Sequence, residues 1–316
     1  MSPRLESRGH YFMNKILKNK KFGSIKEIHF TPELKKRLWA VLGDKKIKRA
    51  EEISKKIDGF QFTYLSAGRK ISGLLALPKS RAGKKFPCII YNRGGNKNFG
   101  TLRHGALFNN LGFLAVEGYV VIASQYSGNN LSEGKDEYGG RDINDIIALH
   151  EILKTIPFVD MKKIGMYGGS RGGMMTFLVM IKVKWIKAVC IKSGLYNLVR
   201  NVELRPEMKK VFKEAFDGSK KEMVRRSVEY WADKVPKNIP ILMLHGSSDW
   251  RSSPIDALET SKKFIKYKVP HRLVLFEGAD HFLTEFSEEE NSLTISWFNK
   301  YLKNGESLPN PKPHGA

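Results

Sequence analysis

Apolar positions change their spacing along the chain. Between Thr31 and about Asp58 they recur every three or four residues. Leu34, Leu38, Val41 and Leu42 fall on one face of a helix that Thr31-Pro32-Glu33 caps and Gly43-Asp44 ends, and a second helix runs on to about Asp58. Residues 1–58 therefore read as a basic helical appendage, too short and too polar to form a domain alone. From Gly59 the period becomes two. Phe60-Gln61-Phe62-Thr63-Tyr64 alternates as a half-buried strand does, and Ile71 to Leu77 supplies its antiparallel partner across the Ala67-Gly68 turn. Phe86 to Tyr91 is a continuous apolar run, the pattern of a strand covered on both faces.

Beyond this point strands and helices alternate. A helix over 105–117 leads to the strand Tyr119 to Ser124, a polar glycine-rich loop from Gln125 to Arg141, and a helix from Asp142 to Thr155. A short strand ending at Tyr167 then feeds the apolar helix from Met174 to Ile181, followed by the strand Ile186 to Lys192. Residues 195–236 interrupt the rhythm with charged helical stretches at Met208 to Phe216 and Lys220 to Tyr230, the signature of a cap inserted over the C-terminal edge of the sheet. The rhythm resumes with strand Ile239 to His245, helix Pro254 to Tyr267, strand Arg272 to Phe276 and a helix from Ser287 to about Leu302. Alternation of this kind implies an α/β fold, a three-layer doubly wound and mostly parallel sheet joined by right-handed crossovers. The expected organisation is the appendage 1–58, one catalytic domain over 59–304 carrying the 195–236 cap, and a tail over 305–316.

Composition narrows the class. The 316 residues carry 41% hydrophobic and 11% aromatic side chains, which excludes disordered and fibrous chains. The charge is the unusual quantity: 55 Lys and Arg against 32 Asp and Glu give +23. Such a balance attracts acidic surfaces non-specifically, but the basic residues are spread along the chain and no nucleic-acid motif accompanies them. A lysine-rich solvated surface is the simpler reading, and no specific nucleic-acid partner is expected. Cys88 and Cys190 lie in apolar runs and read as buried reduced thiols, with no metal-ligand spacing. No apolar run reaches the roughly 18 residues of a spanning helix. Tyr11-Phe12-Met13 is interrupted by Asn14-Lys15, so no signal peptide is read, a cytoplasmic location is the default, and Met13 stands as an alternative start.

Chemistry concentrates where an open parallel sheet binds ligands, just beyond the carboxyl ends of its strands. Gly168-Gly169-Ser170-Arg171-Gly172, between a strand and a helix, has the spacing of a nucleophile elbow, in which side chains at the flanking glycines would collide. A glycine-rich phosphate cradle is the alternative for this stretch alone. A serine needs a base, and the base needs a carboxylate to hold its tautomer. Asp249, in His245-Gly246-Ser247-Ser248-Asp249, and His281, in Glu277-Gly278-Ala279-Asp280-His281, follow two later strands and complete the chain order Ser, Asp, His. His245 is a rival base and Asp280 a rival acid, both read as structural, while His104 and His150 have no serine partner. Oxyanion donors are expected from the backbone N–H of Arg171 and from the loop Asn92-Arg93-Gly94-Gly95-Asn96, with Gly94 letting the backbone approach and the Arg93 side chain reaching in as a fixed charge. Asn96 and Tyr126 are expected to line the pocket. No metal or cofactor is expected.

These motifs, with Tyr138-Gly139-Gly140-Arg141-Asp142 and Trp231-Ala232-Asp233, together resemble the catalytic domain of the prolyl oligopeptidase family of serine peptidases over about residues 60–304. The resemblance implies an α/β-hydrolase fold with Ser170, Asp249 and His281 as triad. Family peptidases carry an N-terminal β-propeller that filters substrates by size, whereas fewer than 60 residues precede the hydrolase portion here. The family's His-Gly-Gly-Pro or tyrosine-containing oxyanion loop is replaced by Arg93-Gly94-Gly95-Asn96. The expected activity is hydrolysis of short peptides or peptide-like amides through an acyl-enzyme. A carboxylesterase acting on small esters is the alternative, the pocket under the 195–236 cap making the choice. An inactive basic binding protein on the same scaffold is the rival from another class. The oligomeric state is left open.

Overall fold

The computed structural model describes residues 22–79 and 83–315, so the expectations concerning Tyr11 to Lys15 lie outside the described residues. One twisted sheet organises the chain. Its strands are β1 (Phe22–Ile28), β2 (Ile57–Ser66), β3 (Arg69–Pro78), β4 (Phe86–Asn92), β5 (Val120–Ser124), β6 (Val159–Gly169), β7 (Ile186–Lys192), β8 (Ile241–Gly246) and β9 (His271–Phe276). They lie in the order β1-β2-β3-β5-β4-β6-β7-β8-β9. The first three are antiparallel to their neighbours, and β5, β4 and β6 to β9 are mutually parallel.

Alternation within each strand divides the interior into two cores. In β4, where every residue is buried, Cys88 and Ile90 join one core while Ile89 and Tyr91 join the other. The first core holds α4 (Ile143–Leu153), α5 (Arg171–Met180) and α9 (Pro254–Tyr267) against the sheet. The second holds α1 (Pro32–Lys56), the short helices α2 (Gly105–Phe108) and α3 (Gly112–Ala115), and α10 (Ser287–Phe298). This is the α/β-hydrolase architecture. Between β7 and β8 the expected cap is built from α6 (Leu198–Leu204), α7 (Met208–Phe216), α8 (Lys220–Arg226) and a 3₁₀ segment Val228–Lys234. Met208 and Phe212 bury themselves in the same core as α5. The helix expected over 220–230 stops at Arg226 because Ser227 turns extended (φ −102°, ψ 104°).

Three sequence expectations are corrected. Residues 22–28 are a strand rather than part of a helical appendage, pairing with β2 through Phe22↔Tyr64 and Ile28↔Gly59. Its apolar residues Phe22, Ile25 and Ile28 fall three apart and imitate a helix: a bulge between Phe22 and Ser24 lets Phe22 and Ile25 meet the same core, while Ile28 faces the other core. The second half of α1 ends at Lys56, and Ile57 already begins β2, so the expected boundary at 58/59 falls inside a strand. The helix read over 105–117 is broken into two single turns. At the kink in α1, Gly43 takes φ +72°, which favours glycine; the side chains of Val41 and Leu42 lie outside the described residues. Cys88 and Cys190 are free and buried, and no helix among the described residues is long and apolar enough to cross a membrane.

Tyr64 ties the antiparallel hairpin to the parallel sheet. Its buried hydroxyl donates to the Asp145 carbonyl at 2.7 Å and lies 2.7 Å from Ser124 Oγ. Tyr64→Phe should destabilise the protein by about 1–2 kcal/mol, since it leaves buried partners unsatisfied. A urea denaturation midpoint unchanged from wild type would show that this link carries no stability.

Candidate active site

The strand-to-helix turn between β6 and α5 holds Ser170 at φ 54°, ψ −123°, a conformation side chains rarely adopt. Two glycines make it possible. A Cβ at Gly168 would lie 2.5 Å from Gly172 O and Thr176 Oγ1, and one at Gly172 would lie 1.9 Å from Asn92 O. Gly169 has open space around it, so of the two glycines before the serine only Gly168 is sterically fixed. Ser170 N–H donates to Lys192 O at 2.8 Å, and Ser170 O accepts from Leu195 N–H at 3.2 Å, which locks the turn to the end of β7.

The loops after β8 and β9 are fastened to each other before their side chains meet. A Cβ at Gly246 would lie 2.3 Å from Ala279 O, Ser248 N–H donates to Ala279 O at 3.0 Å, and Gly278 N–H donates to Ser247 Oγ at 2.8 Å. His281 Nδ1 consequently lies 2.7 Å from Asp249 Oδ2. The other oxygen, Oδ1, accepts from the N–H of Arg251 (2.8 Å) and of Ser252 (3.0 Å). Burial by itself would raise the Asp249 carboxyl, but hydrogen bonding from His245 and His281, the His281 charge and the Ser252 N–H outweigh it and hold the group well below the usual carboxylate range. With Nδ1 committed to Asp249, Nε2 is the ring nitrogen left for proton exchange.

The rival residues fall into structural roles. His245 is fully buried, with Nε2 2.8 Å from Ser252 O and 3.3 Å from Asp249 Oδ2. Asp280 accepts from Phe282 N–H at 2.8 Å, closing its own turn. His104 contacts Gln61 Oε1 at 2.8 Å, and His150 stacks on Trp185 at 4.7 Å.

The glycine loop after β4 comes to the serine as expected: a Cβ on Gly94 would lie 3.1 Å from Ser170 Cβ and 3.7 Å from Ser170 Oγ. The Arg93 side chain does not. It is 1% exposed, and its guanidinium donates to the carbonyls of Gln125, Gly94, Phe99 and Lys97 at 2.9–3.3 Å, which uses all five N–H groups. It therefore shapes the 93–99 loop from inside and has no donor left for a substrate. Tyr126, expected at the pocket, is fully buried behind this loop, its hydroxyl donating to Arg93 O at 3.1 Å and its ring 5.0 Å from the Arg93 guanidinium. Asn96 does line the cavity.

The sequence reading missed what the Arg171 side chain does. It is buried, donates to Asp136 at 2.6 and 2.8 Å, to Asp142 Oδ2 at 2.8 Å and to Gly95 O at 3.1 Å, and lies 4.3 Å from the Tyr138 ring. Burial would raise Asp136, but the Arg171 charge and hydrogen bonds keep it well below the ordinary carboxylate range. Arg171 thus fastens the 93–99 loop to the 136–142 loop, while its N–H remains in the backbone beside Ser170. The signal was the acidic pair Asp136 and Asp142, close in sequence to the Tyr138-Gly139-Gly140 segment, which a buried guanidinium requires.

Ser170 and His281 line one cavity of about 770 Å³. Its wall is not the cap alone. Arg205 and Met208 come from the cap region, but Lys45, Arg49 and Ile53 come from α1 and Glu288 and Glu290 from α10.

Residues 106–305 match the family model described as "Prolyl oligopeptidase family". The chain belongs to the prolyl oligopeptidase family. As a member it is a serine hydrolase. Among curated family relatives, the uncharacterized peptidase YtmA of Bacillus subtilis (strain 168) is 28% identical over 251 residues, spanning 78% of this chain and 93% of the relative. Dipeptidyl-peptidase 5 of Porphyromonas gingivalis is 26% identical over 256 residues, spanning 75% of this chain but 36% of that protein. The chain thus spans well under half the length of that dipeptidyl-peptidase. Two solved structures share the fold: the Pyrococcus horikoshii acylaminoacyl peptidase (TM-score 0.70, 19% identity, 83% of this chain and 44% of that one) and puromycin hydrolase (TM-score 0.68, 19% identity, 78% and 40%).

Gly172→Ala should abolish turnover, because its Cβ cannot coexist with the Asn92 carbonyl. Wild-type rates in this variant, measured on any accepted substrate, would contradict the packing described. Arg93→Met should lower kcat/KM about tenfold or more by loosening the 93–99 loop. A variant with unchanged kcat/KM would show that the loop holds its shape without the guanidinium.

Proposed function

We propose that the protein is a serine peptidase cleaving short peptides or peptide-like amides through an acyl-enzyme, with Ser170 as nucleophile, His281 as general base and acid, and Asp249 as the group that orients the imidazole. The observation that carries this reading is the 2.7 Å contact between His281 Nδ1 and Asp249 Oδ2 on a cavity that Ser170 also lines. Ser170 Oγ adds to the carbonyl carbon while its proton passes to His281 Nε2. The oxyanion forms beside the N–H groups of Arg171 and the Gly94 loop. The C–N bond then breaks, His281 returns the proton to the departing amine, and water repeats the sequence to release the acid. Asp249, held ionised, stabilises the imidazolium at each transfer.

Peptides are preferred over esters as substrates because the curated relatives named above are peptidases. The same groups hydrolyse activated esters, so a small carboxylic ester is the second reading.

Aminoacyl- and dipeptidyl-p-nitroanilides should be hydrolysed, with Ser170→Ala inactive. Asp249→Asn should lower kcat by about 10³–10⁴, through loss of the correct imidazole tautomer. Turnover of p-nitrophenyl acetate with none of any nitroanilide would replace the peptidase reading by the esterase one.

A further inference from the structure

Side chains of both cores line the cavity at Ser170, one lobe of the lining coming from each core. Tyr138 and Met208 belong to the core on the α5 face, whereas Tyr91, Phe113 and Tyr167 belong to the core on the α1 and α10 face, and all five line the cavity. A substrate whose carbonyl is held at Ser170 is divided the same way, into an acyl part and a leaving part. The leaving amine takes its proton from His281, and the His281 loop runs through Phe282 and Thr284 directly into α10. The lobe on the α1 and α10 face is therefore the one beside the leaving group.

That lobe has two chemical features. Its floor is aromatic: Tyr91 stacks on Tyr167 at 5.1 Å, and Phe113 meets Tyr167 edge-on at 6.1 Å. Its charge is cationic. Lys192 is the last residue of β7, register partner of Gly169, with its side chain 20% exposed and Nζ 3.0 Å from Glu290 Oε2. Glu290 is buried, and its oxygens also accept from the Tyr167 hydroxyl at 3.1 Å and Thr294 Oγ1 at 3.4 Å. The carboxylate thus accepts three hydrogen bonds from the protein, while the ammonium spends one of its three donors on it among the described residues. Lys45, Lys46, Arg49 and Lys192 stand against Glu288 and Glu290, which leaves a surplus of two positive charges.

We infer that this lobe is a leaving-group subsite for an apolar or aromatic residue ending in a free carboxylate, with Lys192 receiving the carboxylate and Arg49 of α1 adding to the field. The inference rests on the peptidase reading above. Glu290 is a positioning residue for Lys192, and α1, which lies outside the matched 106–305 region, serves as a wall of the specificity site. Peptides with a blocked C-terminus place an amide against unspent ammonium donors and lose the charge-assisted contact.

The test uses the full chain with two peptides, Ala-Ala-Phe and its C-terminal amide, cleavage before Phe being followed chromatographically, with p-nitrophenyl acetate run in parallel. The free acid should be cleaved with kcat/KM at least about tenfold above the amide, the size of one charge-assisted contact in a partly desolvated site. The double variant Lys192→Met/Glu290→Gln, which leaves no unpaired buried charge, should bring the ratio close to one, and Lys192→Arg should keep it above one. Should the double variant fail to fold, Arg49→Gln gives a second reading, a ratio reduced about two- to threefold. Equal cleavage of both peptides by wild type, or preference for the amide, overturns the subsite. Turnover of the ester and of an aminoacyl- or dipeptidyl-p-nitroanilide with cleavage of neither peptide overturns the subsite alone, and ester turnover with no peptide or nitroanilide cleaved overturns it together with the peptidase reading. Absence of ester turnover as well overturns the assignment of Ser170.

Discussion

The backbone at Ser170 is the constraint from which the site is built. At φ 54° the chain reverses within one residue, which requires the α5 end of the elbow to sit against the β4 end with no side chain between. Gly172 against the Asn92 carbonyl supplies that contact. The same contact brings Gly94 beside Ser170 and sends the Arg171 side chain inward. There it must find carboxylates, and Asp136 and Asp142 provide them. Strain at one residue is thus maintained by a glycine contact on one side and a buried ion network on the other.

A second fastening, between the loops after β8 and β9, sets Asp249 against His281 independently of the elbow. Each loop makes main-chain contacts to the other, so the imidazole and carboxylate meet with little freedom left to lose. His245 Nε2 stands 3.3 Å from the same carboxylate oxygen while its hydrogen goes to Ser252 O at 2.8 Å. The charge arrangement around the pair keeps Asp249 ionised despite burial, the state in which it orients an imidazole and stabilises its protonated form.

What could be read from the chain follows from which signals are local. Strand and helix periodicity, the glycine spacing around Ser170 and the order of Ser170, Asp249 and His281 are written in short stretches, and the parallel sheet follows from their alternation. β1 was hidden because a bulged edge strand buries few residues, and those fell at helical spacing. The Arg93 and Tyr126 roles were misassigned because sequence shows that a charged or phenolic group is near a site but not which carbonyls surround it. The part of α1 in the cavity wall is a long-range consequence of packing Ala50 and Ile53 on the α1 face of the sheet, and no local pattern announces it. The cap, by contrast, was recognisable as an interruption in rhythm, yet it supplies only part of the wall.

The central claim is that Ser170 is an activated nucleophile, and it is tested most directly by reacting the protein with a fluorophosphonate and mapping the adduct by peptide mass spectrometry. A single adduct on Ser170, lost in Ser170→Ala and formed much more slowly in His281→Gln, is the predicted result. An adduct elsewhere, or labelling of Ser170 at the same rate without His281, would contradict it.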